Sequence, residues 1–92
     1  MPPTVEESER LLTKAAVLIR RGDVSGARLL LERCLAAGDM RAAFYLAETY
    51  DPAVLRAWQA YGVPGDLARA RHLYGRALAA GVPMAKERLD AN

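Results

Sequence analysis

The chain has 92 residues, with 13 Lys or Arg against 11 Asp or Glu, a net charge of +2 and one cysteine, Cys34. That length supports one domain around one core, burying about 60–65 % of the unfolded surface, and a single cysteine excludes an internal disulfide framework. Charges of both signs are interleaved with no basic block and no apolar run reaches spanning length, so neither nucleic acid nor a membrane is implied.

Alanine, leucine and arginine dominate and β-branched residues are sparse, a helical composition. Met1, Pro2 and Pro3 open without a basic-then-apolar leader, so the default expectation is a cytoplasmic chain. Its repetitive organisation, described below, suggests a piece cut from a longer repeat protein.

Thr4 followed by Glu7 has capping-box spacing, and Glu6, Glu7 and Glu9 put negative charge where a helix N-terminus favours it. A leading helix is therefore predicted over 4–21. It carries Val5, Leu11, Leu12, Ala15, Leu18 and Ile19 at three- and four-residue intervals and ends on Arg20 and Arg21 before Gly22. Asp23 caps a second helix, predicted to Ala37, with Leu30, Leu31, Cys34 and Leu35 inward and Gly38 at its end. So short a join makes the two helices antiparallel neighbours.

Asp39 starts a predicted third helix bearing Ala42, Ala43, Leu46, Ala47 and Tyr50. Asp51 ahead of Pro52 is an N-cap residue before a proline suited to the first helical position, which predicts a short helix from Pro52 to about Gln59. Tyr61 to Gly65, with Gly62 and Pro64, reads as a loop. Asp66 repeats the role of Asp23, opening a helix with Leu67, Ala70, Leu73, Tyr74, Ala77 and Leu78 that stops at Gly81. Pro83 opens a last short helix to about Ala91, polar enough at Lys86, Glu87, Arg88 and Asp90 to be an end cap.

Residues 22–46 and 65–89 align without gaps, and 12 of the 25 positions are identical, among them Gly22/Gly65, Asp23/Asp66, Ala27/Ala70, Arg28/Arg71, Gly38/Gly81 and Leu46/Leu89. A repeat of this length marks a unit that buries its apolar face by stacking on its neighbours, which makes a scaffold rather than a closed pocket. The single domain over 1–92 divides into the leading helix (4–21), a first repeat (22–50), an insert and loop (51–64), and a second repeat with its capping helix (65–91).

Ala42, Leu46, Ala47 and Tyr50, then Gly62-Val63, Asp66, Ala70, Tyr74, Ala77 and Gly81, resemble the Sel-one-like branch of the tetratricopeptide repeat family. The match runs from Asp23 onward. Three positions depart from the family pattern: Ala47 stands at a customary glycine, Leu73 at a customary tryptophan and Arg69 at a customary lysine, while Asp51 to Tyr61 exceeds the family loop. The resemblance implies an all-α, right-handed α-α superhelix of about five helices plus one short one. It also implies that the first helix of each hairpin lines a concave groove for a peptide. On the third helix that leaves Arg41, Phe44, Glu48 and Asp51 as partner-binding candidates, with Phe44 the apolar contact and Arg41 and Glu48 polar orienters. Trp58 and Tyr61, in the insert, either plug the end of the core or anchor a partner.

Cys34 aligns with Ala77, as a small core residue does, and His72 has no Cys, His or carboxylate cluster around it in sequence. No nucleophile elbow or phosphate-binding glycine loop is present, so no catalytic residue, metal or cofactor is expected. Arg28, Arg33, Arg71 and Arg76 recur at matching places and should do matching jobs: stems covering the core edge, or an anion-binding stripe. The expected function is a protein-interaction scaffold whose partner is a protein or peptide. The alternative is an assembly element, docking through Val5, Leu12 and Ile19, seven apart on the first helix, onto another copy as a homodimer or onto upstream repeats.

Overall fold

The computed structural model describes residues 4–91; Met1 to Pro3, where the sequence carries no leader pattern, and Asn92 lie outside them. Among the described residues there are six helices and no strand: α1 (Val5–Arg20), α2 (Val24–Ala36), α3 (Arg41–Tyr50), α4 (Pro52–Ala57), α5 (Leu67–Ala79) and α6 (Met84–Ala91). No helix among them is long and apolar enough to cross a membrane.

Local chemistry sets most of the helix ends. Thr4 Oγ1 accepts from the Glu7 N–H at 3.2 Å, and the Asp23 and Asp66 carboxylates accept from the Gly26 and Arg69 N–H groups at 2.8 and 3.0 Å, each satisfying a donor that has no partner within its helix. Gly22, Gly38 and Gly81 follow α1, α2 and α5 with φ of +85°, +92° and +91°, the left-handed turn that a side chain would disfavour.

Two boundaries differ from expectation. α3 begins at Arg41, because Asp39 uses Oδ1 on the Arg41 N–H at 3.1 Å while Met40 holds the cap position without a side-chain bond. α4 ends at Ala57, short of Gln59, because Gln59 itself turns left-handed at φ +59°.

Packing follows chain order. α1 packs on α2, α2 on α3, α3 on α5 and α5 on α6, while α4 rests against α3. Partners run antiparallel: Cys34 Sγ near the end of α2 lies 3.7 Å from the Ser8 carbonyl near the start of α1, and Arg28 near the start of α2 reaches Thr49 near the end of α3. The described residues extend over 33 × 30 × 16 Å. Ala27, Leu31, Cys34, Ala42, Leu46, Ala47, Ala70, Tyr74 and Ala77 form the fully buried centre; small residues let the helices approach closely.

Buried polar groups are paired. Tyr74 Oη donates to Asp51 Oδ2 at 2.8 Å, and Asp51 Oδ1 accepts from the Ala53 N–H at 3.0 Å as the cap of α4. The Arg28 guanidinium donates to the Thr49 carbonyl and to the Pro64 carbonyl at 3.0 Å and lies 4.0 Å from the Tyr50 ring centre. The Asp66 N–H closes the insert on the Tyr50 carbonyl at 2.8 Å. Next to it, a Cβ at Gly65 would stand 3.1 Å from the same oxygen, so the close approach suits glycine.

Candidate functional site: a groove between α1 and α3

Among the residues of α3, Ala42, Ala43, Phe44, Leu46, Ala47 and Thr49 are buried and Tyr50 is half-buried under Arg28, which leaves one stripe, exposed at Arg41 and Tyr45 and half-buried at Glu48. Their spacing puts them on one helix face. That face borders a groove of about 390 Å³, walled on the other side by Glu9, Leu12, Thr13, Ala16 and Ile19 of α1. Ala15 and Leu31, both 1 % exposed, form its floor, and Trp58, just past α4, borders it as well.

Three of the six sequence candidates, Arg41, Glu48 and Trp58, thus come together. Phe44 does not: it is 5 % exposed, with its ring 5.7 Å from that of Tyr74, and so belongs to the core beneath α5. Asp51 is a second correction. It is 2 % exposed and fully occupied by Tyr74 and the α4 cap, leaving no face for a ligand. Tyr61 stands 80 % exposed over a separate small depression with Pro52, Leu55 and Val63.

The sequence reading missed Tyr45, which lies one position past Phe44 and is edge-on to it, with ring centres 5.5 Å apart. Its spacing from Arg41 and Glu48, four and three residues, was the available signal. Leu12 and Ile19 are half-buried groove walls rather than an outward stripe, and Val5, 77 % exposed, is apart from them.

The rim charges are paired within the chain. Arg41 donates Nε and Nη2 to Asp39 at 3.0 and 2.7 Å and Nη1 to Glu9 at 2.6 Å, while Ser8 Oγ donates to Asp39 at 2.8 Å. The Arg41 bonds are the main reason the Asp39 carboxyl falls from its ordinary 3.8 to about 2, and they push the Arg41 guanidinium further up. Glu48 accepts from Arg88 of α6 at 2.7 Å. Burial nonetheless raises its pKa, outweighing the Arg88 contribution, and the charge of Asp51 adds to the rise.

The remaining candidates stand outside the groove. Cys34 is fully buried and His72 exposed. Among the described residues no group of three or more His, Cys, Asp or Glu is placed to hold a metal ion. Arg28 and Arg71 each donate to a carbonyl in the last turn of the following helix, Thr49 and Leu89 respectively, whereas Arg33 and Arg76 are exposed. What the groove offers is an apolar trough with satisfied polar edges, a surface for recognition by shape and burial. No protein-family model matches the chain, no curated protein matches its sequence and no solved structure matches its fold.

Proposed function

We propose that the chain is a protein-interaction scaffold of the Sel-one-like repeat class, a right-handed helical stack that receives a peptide segment or partner helix in the groove between α1 and α3. The observation that carries this reading is the groove itself: Leu12, Ala16, Ile19, Tyr45 and Trp58 present apolar surface between the charged edges Glu9, Arg41 and Glu48. Nearest-neighbour packing in chain order supports the helical stack. So small a trough implies modest, transient affinity.

A peptide-display selection against the immobilised chain tests the reading, with counter-selection on Ala16→Arg. Ala16 is an exposed groove residue, so an arginine there fills the trough while changing stability by no more than about 0.5 kcal/mol. Peptides retained by the native chain and lost on the variant support the groove. Selected peptides that hold both proteins equally, or a selection that converges on nothing, refute it.

A further inference from the structure

We propose that α6 is a detachable latch on the groove: docked, it holds Arg88 against Glu48, and released, it leaves Glu48 as an unpaired carboxylate on the groove's edge. The consequence for an occupant rests on the reading of the groove as the docking surface; the release itself does not.

Little apolar surface holds α6 in place. Of its eight residues Ala85 is the buried one, with Val82 before the helix and Leu89 within it partly buried against the core. Lys86 and Asp90 pair within the helix on its exposed side, so their contact does not anchor it. The Leu89 carbonyl accepts from Arg71 at 3.4 Å, at the long end for a hydrogen bond. Against these stands the Arg88 Nη2 to Glu48 Oε2 pair at 2.7 Å, with the Glu48 side chain 15 % exposed, and this charge-assisted bond crosses from α6 to α3.

The joint permits release. The Gly81 and Val82 N–H groups close α5 on the Leu78 and Ala77 carbonyls at 3.0 and 2.9 Å, with Gly81 at φ +91°. α5 therefore ends on its own bonds whether or not α6 is docked. Eight residues are too few for a helix to persist alone in water, so α6 undocks and unfolds together. Elements with few buried apolar contacts open locally, at a fraction of the global unfolding free energy.

Release matters because Glu48 belongs to both places. It lines the groove, and it is the residue on which Arg88 of α6 closes. Burial and the nearby charge of Asp51 push the Glu48 pKa up, while Arg88 holds it down. Docking of α6 thus neutralises Glu48 at the groove's edge, and undocking leaves its charge without that cation. The coupling runs both ways: whatever removes the charge of Glu48 also weakens the docking of α6.

The test is native-state hydrogen exchange on the whole chain. The α6 amides of Arg88 to Ala91 should be at least about ten-fold less protected than those of Leu31, Cys34 and Leu46, and less sensitive to low urea, because a local opening exposes little surface. Glu48→Gln and Arg88→Gln should each lower α6 protection about ten-fold, and the double variant by no more than either. Either single variant suffices should the other perturb the fold. The charge at the groove is read at Trp58, the chain's one tryptophan, which borders the groove with Glu48. Arg88→Gln should raise quenching of its emission by caesium and lower quenching by iodide, and the double variant should return both toward the native values.

α6 amides as protected as Leu31, with the same urea dependence, would overturn the detachable helix. Variants that leave α6 protection at its native level would overturn the Arg88 and Glu48 pair as its latch. Quenching unchanged by Arg88→Gln would overturn the change of charge at the groove. None of these measurements involves a peptide, so the groove reading stands or falls separately, on the display selection.

Discussion

Helices α3 and α6 fall in the two segments of the sequence that align with each other, yet one is buried nearly all round and the other on one residue. Their aligned positions show why. Ala42 and Ala85 are both fully buried, whereas Ala43, Phe44 and Ala47, in the core of α3, correspond to Lys86, Glu87 and Asp90 of α6. α3 packs between α2 and α5; α6 packs on α5, and Lys86 and Asp90 pair with each other at 2.9 Å. The alanine common to both segments is buried in each, and the rest of each helix surface follows what packs on it.

The sharpest way to break this comparison is to truncate the pair Phe44/Glu87. Phe44→Ala should cost about 3–5 kcal/mol in urea unfolding, the scale of a large core deletion. That is a large share of the roughly 5–14 kcal/mol available to a chain of this size. Glu87→Ala, at an exposed position, should stay within about 0.5 kcal/mol. Similar losses at both sites would mean that α3 is not sandwiched as described.

A second contrast concerns the helices that these two pack against. Tyr74 aligns with Leu31, and both are buried, but Tyr74 alone carries a hydroxyl, which donates to the buried Asp51. Burial first, and the Asp51 bond second, push the Tyr74 phenol well above its ordinary range. Tyr74→Phe leaves the Asp51 carboxylate short of a donor and should cost about 1–3 kcal/mol. Leu31→Met, which removes no polar partner, should cost less than about 1.5 kcal/mol.

Two arginine-paired carboxylates, Asp39 behind Arg41 and Glu48 at the groove, differ in a way that pH can read. Asp39 has a folded pKa lowered from 3.8 to about 2, so its pairing stabilises the fold above 3.8 and is lost as pH falls through about 2. Glu48 is shifted the other way by burial; its contribution is fully present below its ordinary value and is lost as pH rises through the raised one. Asp39→Asn should thus differ from the native chain most near about pH 6 and least near about pH 2, measured as urea midpoints across the acid limb. A constant difference would show that Asp39 acts through shape rather than charge.

Legibility in the sequence followed the same divide between local and tertiary causes. Caps, glycine stops and the six helices rest on contacts within a few residues, as at Thr4, Asp23, Asp66, Gly22 and Gly81, and those are visible in a string. Arg41 and Glu48 follow from the family resemblance, which leaves them off the inward face of the third helix, and Trp58 from its place in the insert. Phe44 and Tyr45 were exchanged because α3 is apolar around most of its circumference, and the exposed stripe is decided by where α1 and α5 lie. Asp51 looked like a rim residue because its cap for α4 was legible but Tyr74, 23 positions away, was not.

The smallest expected effect sharpens a contrast between helix endings. α1, α2 and α5 each meet a glycine in the left-handed region, but α4 meets Gln59 at φ +59°. The Gln59 N–H donates to the Arg56 carbonyl at 3.0 Å and the Ala60 N–H to the Leu55 carbonyl at 2.9 Å. This is the same closing geometry, reached without the residue that adopts it freely. A side chain held there strains the backbone by about 1–2 kcal/mol, and glycine removes that strain while adding unfolded-state entropy that offsets part of the gain. Gln59→Gly should therefore stabilise the chain by about 0.5–1 kcal/mol in urea unfolding. Because α4 places Trp58 at the groove, the same variant should leave Trp58 emission unchanged. A loss of stability would instead assign the Gln59 side chain a contact that outweighs its backbone cost.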